Sequence, residues 1–335
     1  MFNLSYYEKS GASIAGLVSV IVASYNHAEF LVQRMDSLVA QTYPDIEIIV
    51  IDDCSTDDSW QVLQRYENDP RVRLIARERN GGWVAVSNQG IELSKGEFVI
   101  FANCDDACEP ELIARLVSAM RSDDKAGIAF CRSWLVDEHN NRLSDDLQIQ
   151  QQSFRERCAA DTLIPGAEMG KFLLHSCVIP NLSAALIRRR CFSAVGVLSP
   201  DFRACSDWDL FFRVAERFDF AYVSQPLNFF RQHETTIRSS MKERATYEEF
   251  FRVLLGNLRK LPLTRGERAK ARMRVMSLWS VHLVSPSAGG LLNFPYHLGC
   301  VISRDPVSLA FLFPSIVQRA ISIAGKLIAG RKAGR

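Results

Sequence analysis

From Val18 onward, short runs of apolar residues alternate with stretches whose apolar positions recur every three or four residues. Val18-Ser19-Val20-Ile21-Val22 opens the series, and four of its five residues are β-branched, which predicts a buried strand. Between Glu29 and Ala40, the residues Phe30, Leu31, Met35, Leu38 and Val39 keep helical spacing. The pattern then predicts strands at 46–51, 72–75, 98–101 and 128–130. Helices are predicted at 59–66, 84–93 and 110–120, the last with proline in its first turn. This succession implies an α/β, doubly wound, mostly parallel sheet, in which ligands bind beyond the carboxyl ends of the strands.

Composition narrows the picture. A chain of 335 residues exceeds one average domain, so a catalytic-sized domain with an appendage is expected. With 47% hydrophobic and 23% charged residues, it is neither disordered, collagenous nor a coiled coil. Charge is unevenly spread. Residues 252–335 hold 14 Lys and Arg against Glu267 and Asp305, a balance of +12; since the whole carries +2, residues 1–251 carry −10. A basic tail behind an acidic body points to docking on something anionic. Nine cysteines without a CxxC pair do not read as a disulfide framework, so a reducing cytoplasm is expected. The N-terminus has no basic stretch leading into an apolar one, hence no expected signal peptide.

Val275 to Ser303 lacks Lys, Arg, Asp and Glu, which raises the question of a membrane span. Pro286, Pro295, Gly289, Gly290, Asn293 and two histidines argue for a re-entrant or surface-lying segment instead. From Pro306 onward, apolar residues such as Phe311, Phe313, Ile316, Ile321, Leu327 and Ile328, set among Arg319, Lys326, Arg331 and Lys332, read as an interfacial amphipathic helix. A helical cap on the core or a dimer interface is the alternative.

The residues following the predicted strands are mostly acids and turn formers: Ala23 to Asn26, Asp52 to Asp57 and Ala102 to Asp106. No GxGxxG follows the first strand, which disfavours a dinucleotide-dependent dehydrogenase. Carboxylates converging on one edge repel unless a hard cation or a donor-rich ligand lies between them. A divalent metal holding a diphosphate meets both needs.

Seven blocks stand in one order: VSVIVASYN (18–26), IDDCSTDDS (51–59), NGGWVAVSNQGI (80–91), GEFVIFANCDD (96–106), NLSAALIRRRCFSAVGVLSPDF (181–202), SDWDLFFRVA (206–215) and FRQHETTI (230–237). As an ordered set they resemble glycosyltransferase family 2, with its Rossmann-like GT-A fold. The resemblance implies an N-terminal arm (1–16), a GT-A domain (17–240, with a nucleotide-sugar half at 17–125 and an acceptor half at 126–240) and a basic, helical, partly amphipathic region (241–335). By that resemblance Ser24 and Tyr25 contact the nucleobase, and Asp53 accepts a hydrogen bond from it. Asn103-Cys104-Asp105-Asp106 stands in the place of the family's DXD motif, with an uncharged Asn103 in its first position. Asp106 is then the metal ligand, and Asp105 meets the ribose or a metal-bound water. Asp207 matches the general base, Arg231 suits a diphosphate, and His233 suits phosphate or metal.

Blander readings stand beside these. Asp52, Asp53, Ser55 and Asp57 are good turn and capping residues, as are Asp105, Asp106, Ser206 and Asp207, while Asn80 and Asn88 suit loops and caps. Cys104 and Cys108 read as packing residues, and Trp208 as packing or an acceptor platform. The histidines at 27, 139, 175, 282 and 297 have no spacing that marks a site. No QxxRW block follows Asp207, so single additions are expected. The implied activity is inverting, dependent on Mg²⁺ or Mn²⁺. The donor is a nucleotide-diphospho-sugar and the acceptor a glycan or lipid-linked one at the cytoplasmic membrane face; no nucleic acid is expected. A non-catalytic nucleotide-sugar-binding protein and a sugar nucleotidyltransferase are the rival readings.

Overall fold

The structure, a computed structural model, describes residues 13–233, 243–283, 290–318 and 321. The chain divides into two compact units: residues 1–172 with 176–234, and residues 173–175 with 235–335.

The first unit begins β1 (Ile14–Ser24), α1 (Ala28–Val39), β2 (Ile46–Asp52), α2 (Ser59–Gln64), β3 (Val72–Ala76), α3 (Trp83–Leu93) and β4 (Gly96–Phe101). It continues through β5 (Ala107–Cys108), α4 (Leu112–Arg121), β6 (Ala126–Val136), β7 (Arg142–Asp145), α5 (Gln152–Arg157), β8 (Thr162–Ile164) and α6 (Gly166–Leu173). It closes with β9 (Ala185–Arg188), α7 (Arg189–Val195), α8 (Ser206–Ala215) and β10 (Asp219–Arg231). The sheet runs β3-β2-β1-β4-β9-β6-β10-β5, with β7 on β6 and β8 on β10. β1, β2, β3 and β4 are parallel, β9 runs antiparallel to β4 and β6, and β6 and β10 are parallel. The sheet is therefore mixed and mostly parallel, as the pattern predicts.

Its strands read as continuous apolar runs because both faces are covered. Val18, Val20 and Val22 pack with Leu31, Met35, Leu63 and Leu116 from α1, α2 and α4. Ile49 and Ile51 turn the other way, onto Val86 of α3. A side chain at Gly90 would strike Ile21, so glycine lets α3 lie directly on β1. In β10 the register with β6 shifts on either side of Pro226, where a ladder donor is missing.

The second unit is helical: α9 (Glu243–Lys260), α10 (Arg265–Leu283) and α11 (Gly290–Arg304), followed by a 3₁₀ turn (Pro306–Phe311). The uncharged stretch expected to be re-entrant or surface-lying is helical where it is described, with one face packed inward and Leu292 and Ile302 exposed. Trp279 and His297 are fully buried, and the Trp279 ring stacks on Phe294 at 5.4 Å and meets Phe251 edge to face. No helix among the described residues is long and apolar enough to cross a membrane. Most of the arm at 1–16 and the amphipathic positions Ile323 to Lys332 lie outside the described residues. Ile14 to Gly16 already belong to β1.

Candidate active site

The carboxyl ends of β1, β2, β4 and β10 meet at one edge of the first unit. The loops after β1 and β2 are laced together, with Asn26 (φ 52°) and Cys54 (φ 65°) both in the left-handed region. The Asn26 amide donates to Ser55 Oγ at 3.0 Å, and Asn26 Oδ1 accepts from the Thr56 amide at 2.8 Å. Ser59 Oγ and Asp57 Oδ2 accept from the His27 and Ala28 amides, satisfying donors that the start of α1 leaves open. Asp52 closes its own turn, accepting from the amide and hydroxyl of Ser55.

Asp53 was expected to meet a nucleobase, but its carboxylate is already committed. It accepts from Arg77 Nη1 at 2.5 Å and from the Gly81 and Gly82 amides at 2.9 and 2.7 Å, and it is 2% exposed. Its work is to pin the Asn80-Gly81-Gly82 loop, where Gly82 takes φ 82° ahead of α3. Tyr25 is 41% exposed, and Ser24 Oγ is buried without a partner among the described residues.

Asp105 and Asp106 adjoin in sequence and differ in surroundings. Asp106, 1% exposed, accepts from Asn181 Nδ2 and Ser183 Oγ, both at 2.6 Å, and from the Arg231 amide at 3.0 Å. Burial, and after it the Asp105 charge, pushes its carboxyl up to about 7, against the pull of the fully buried Arg34. Asp105 Oδ2 lies 3.0 Å from His233 Nε2. Burial works to raise Asp105, but that hydrogen bond and the charges of His27 and His233 outweigh it, so its carboxyl stays below the ordinary range. The same hydrogen bond raises His233. The surroundings of the two acids thus differ from the expected division of labour: Asp106 is held in a buried hydrogen-bond network, and Asp105 is the one set among imidazoles. Asn103 donates its amide to Ser183 Oγ.

Arg231 was expected to hold a diphosphate in its planar fork, but all five donors are spent on the protein. Nε reaches Asp105 O, Nη1 reaches Asp137 O and Glu138 O, and Nη2 reaches Gln33 Oε1 and Asn140 Oδ1. The group lies 4.7 Å over the Phe30 ring and knits the ends of β4 and β10 to α1.

His27 is the residue that sequence reasoning passed over. Its Nδ1 stands 2.7 Å from Tyr25 O, and a carbonyl oxygen only accepts, so Nδ1 carries the proton. Nε2 is buried without a hydrogen-bond partner among the described residues. The ligand atoms of His27, Asp105 and His233 all lie within 4.8 Å of one another, a donor set that fits a divalent cation.

Asp207 sits in the first turn of α8, where the helix dipole favours an anion, and accepts from the Trp208 amide at 2.7 Å. Asp209 is held by Arg213 at 2.8 Å. Trp208 is 8% exposed, which makes it packing rather than an acceptor platform. The loop ahead of α8 is tied to the start of α3 by Trp83 Nε1 donating to Arg203 O at 2.7 Å, and Asn88 exchanges hydrogen bonds with Leu198. Cys104 and Cys108 are buried free thiols.

The first unit is thus a mixed, mostly parallel sheet with an acid-rich edge and no dinucleotide loop. The family model for glycosyl transferase family 2 matches residues 19–192, and the chain belongs to that family. It is 29% identical over 180 residues to the glycosyltransferase GlyG of Streptococcus pneumoniae, an alignment covering 53% of this chain and 59% of GlyG. It is 30% identical over 174 residues to the poly(ribitol-phosphate) beta-N-acetylglucosaminyltransferase TarS of Staphylococcus aureus, covering 51% of this chain and 27% of TarS. The chain thus spans little more than half of the one relative and about a quarter of the other. The fold of TarS 1–349, solved in complex with UDP-GlcNAc, matches with a TM-score of 0.65 at 18% identity, over 88% of this chain and 84% of that one.

Proposed function

We propose that this protein is an inverting transferase that moves a single sugar from a nucleotide-diphospho-sugar to a hydroxyl of a glycan or lipid-linked acceptor. The observation that supports this most is the meeting, at one sheet edge of a family 2 chain, of Ser24 and Tyr25 with a carboxylate flanked by two imidazoles. Tyr25 and Ser24 hold the base, and Asn103 lies toward the ribose. Asp105 and His233 hold the divalent cation, Mg²⁺ or Mn²⁺, that when bound offsets the charge of the departing diphosphate. Inversion needs one general base and no enzyme nucleophile: the acceptor oxygen attacks the anomeric carbon opposite the leaving group, and Asp207 takes its proton. Asp209 is less suited, because Arg213 already claims it.

UDP-GlcNAc is the first donor to test, since TarS is a relative solved with it. Calorimetry with UDP-, GDP- and dTDP-sugars should find one nucleotide that binds in the presence of Mn²⁺ and far less after chelation. A panel on which nothing binds would sink the reading.

The basic C-terminal region docks on an anionic membrane surface. Supporting this are its charge of +12 and the exposure of Leu292 (88%), Phe313 (73%) and Ile321 (68%). A cytoplasmic, peripheral location also agrees with nine free cysteines. Deleting residues 322–335 should weaken co-sedimentation with phosphatidylglycerol vesicles, as should salt. The cut must fall past Asp305, because Asp305 pairs with Arg272 at 2.7 Å inside this unit. Binding that is absent, or indifferent to both treatments, would refute membrane docking.

A further inference from the structure

The donor reading needs a cation at Asp105 and His233, and His27 changes which cation that is. We infer that His27, Asp105 and His233 form a three-ligand site that holds a transition-metal dication of the Mn²⁺, Co²⁺ or Zn²⁺ kind without any nucleotide present, and discriminates against Mg²⁺. The inference rests on the proposed function only in that the same ion later meets the diphosphate.

Four observations carry it. The first is spacing. Metal–ligand bonds of about 2.0–2.2 Å put neighbouring ligands roughly 3 Å apart and opposite ones roughly 4.2 Å apart. His233 Nε2 and Asp105 Oδ2 already stand at 3.0 Å, and all three ligand atoms lie within 4.8 Å of one another. The second is the tautomer. With the Nδ1 proton of His27 given to Tyr25 O, the lone pair is on Nε2, and a carbonyl on the other nitrogen is the usual partner of a metal-bound imidazole. Third, that Nε2 is buried without a hydrogen-bond partner among the described residues, a state that is unfavourable unless something else binds it. Fourth, the rings are braced before any ion arrives. His27 meets His233 edge to face at 5.6 Å, and Phe30 lies 5.1 Å from His233 and 6.0 Å from His27.

The donor chemistry sets the selectivity. Mg²⁺ takes oxygen ligands and keeps much of its water, whereas imidazole nitrogen favours the first-row transition ions. Three protein ligands hold the ion to the enzyme, and an octahedral ion keeps its remaining positions for water or phosphate oxygens.

The test is a Mn²⁺ titration of the full-length protein without nucleotide, followed by electron paramagnetic resonance, with spin-echo modulation counting the coupled nitrogens. The expected result is one Mn²⁺ per chain coupled to two imidazole nitrogens, displaced by Mg²⁺ only at about a hundredfold excess or more. His27→Ala should lose one nitrogen coupling and weaken Mn²⁺ roughly tenfold or more. His27→Gln should do the same, and the metal-free melting temperature of both variants reports whether the fold survives. Mn²⁺ that binds only when UDP is added, a single coupled nitrogen in the wild type, or unchanged affinity in both variants would overturn the inference. If the variants bind Mn²⁺ like wild type and UDP still binds with metal, the third ligand falls and the donor reading stands. If no nucleotide binds while two nitrogens couple to Mn²⁺, the donor reading falls and the metal site stands.

Discussion

Replacing Asp207 by Asn is expected to lower turnover by roughly 10²–10⁴ while donor affinity stays near that of the wild type. The amide has nearly the carboxylate's shape, and its Oδ1 can still accept from the Trp208 amide at the start of α8, so neither fold nor donor pocket should suffer. What it cannot do is take the acceptor's proton. Donor binding measured by calorimetry and turnover measured with a competent acceptor separate the two effects. A variant that transfers sugar at the wild-type rate would remove Asp207 from the role of base. A variant that loses donor affinity would place Asp207 on the metal or diphosphate instead. The anomeric configuration of the product, compared with the donor by NMR, tests the same proposal independently: retention would require a different mechanism and would leave Asp207 without a reason.

Much of the fold from β1 to α4 was legible because its strands are covered on both faces by helices. Runs such as Val18 to Val22 and the spacing of Leu31, Met35 and Leu38 follow directly from that burial. β9 is four residues long and antiparallel to both neighbours, and β10 is interrupted at Ser224, Gln225 and Pro226, so neither carries a clear periodic signal. The surroundings of the site residues are not legible in the sequence for a different reason. Whether Asp105 or Asp106 faces a ligand depends on Asn181, Ser183 and Arg231, which tertiary structure brings to β4 from far along the chain. Arg231 looked available because Gln33, Asp137, Glu138 and Asn140, which exhaust its donors, belong to other elements. His27 has no partner at metal-site spacing along the chain; its partners arrive at the ends of β4 and β10. One signal was within reach: it directly follows VASYN, at the strand end where ligands bind in such sheets.

The contrast between the two acids yields a prediction with opposite readouts. Asp106→Ala should be the more damaging change to the fold. It leaves the Asn181 amide group, the Ser183 hydroxyl and the Arg231 amide without their acceptor in a site that is 1% exposed, and it strips the fully buried Arg34 of the nearby carboxylate. Leaving buried donors unpaired in this way costs about 1–3 kcal/mol for each that finds no other partner, enough to lower the urea midpoint sharply. Asp105→Ala removes a side chain that is 21% exposed and pairs with His233 alone among its resolved ionic partners, so its stability loss should be only about 1 kcal/mol. Its loss appears in binding: Mn²⁺-dependent affinity for a nucleoside diphosphate should fall to the level seen with chelator, because the one anionic donor of the cluster has gone. Urea unfolding and calorimetry on both variants decide the matter. If Asp106→Ala is as stable as the wild type yet cannot bind the metal-bridged nucleotide, the assignment made from the sequence alone was right, and the buried network around Asp106 is not what holds this edge of the sheet together.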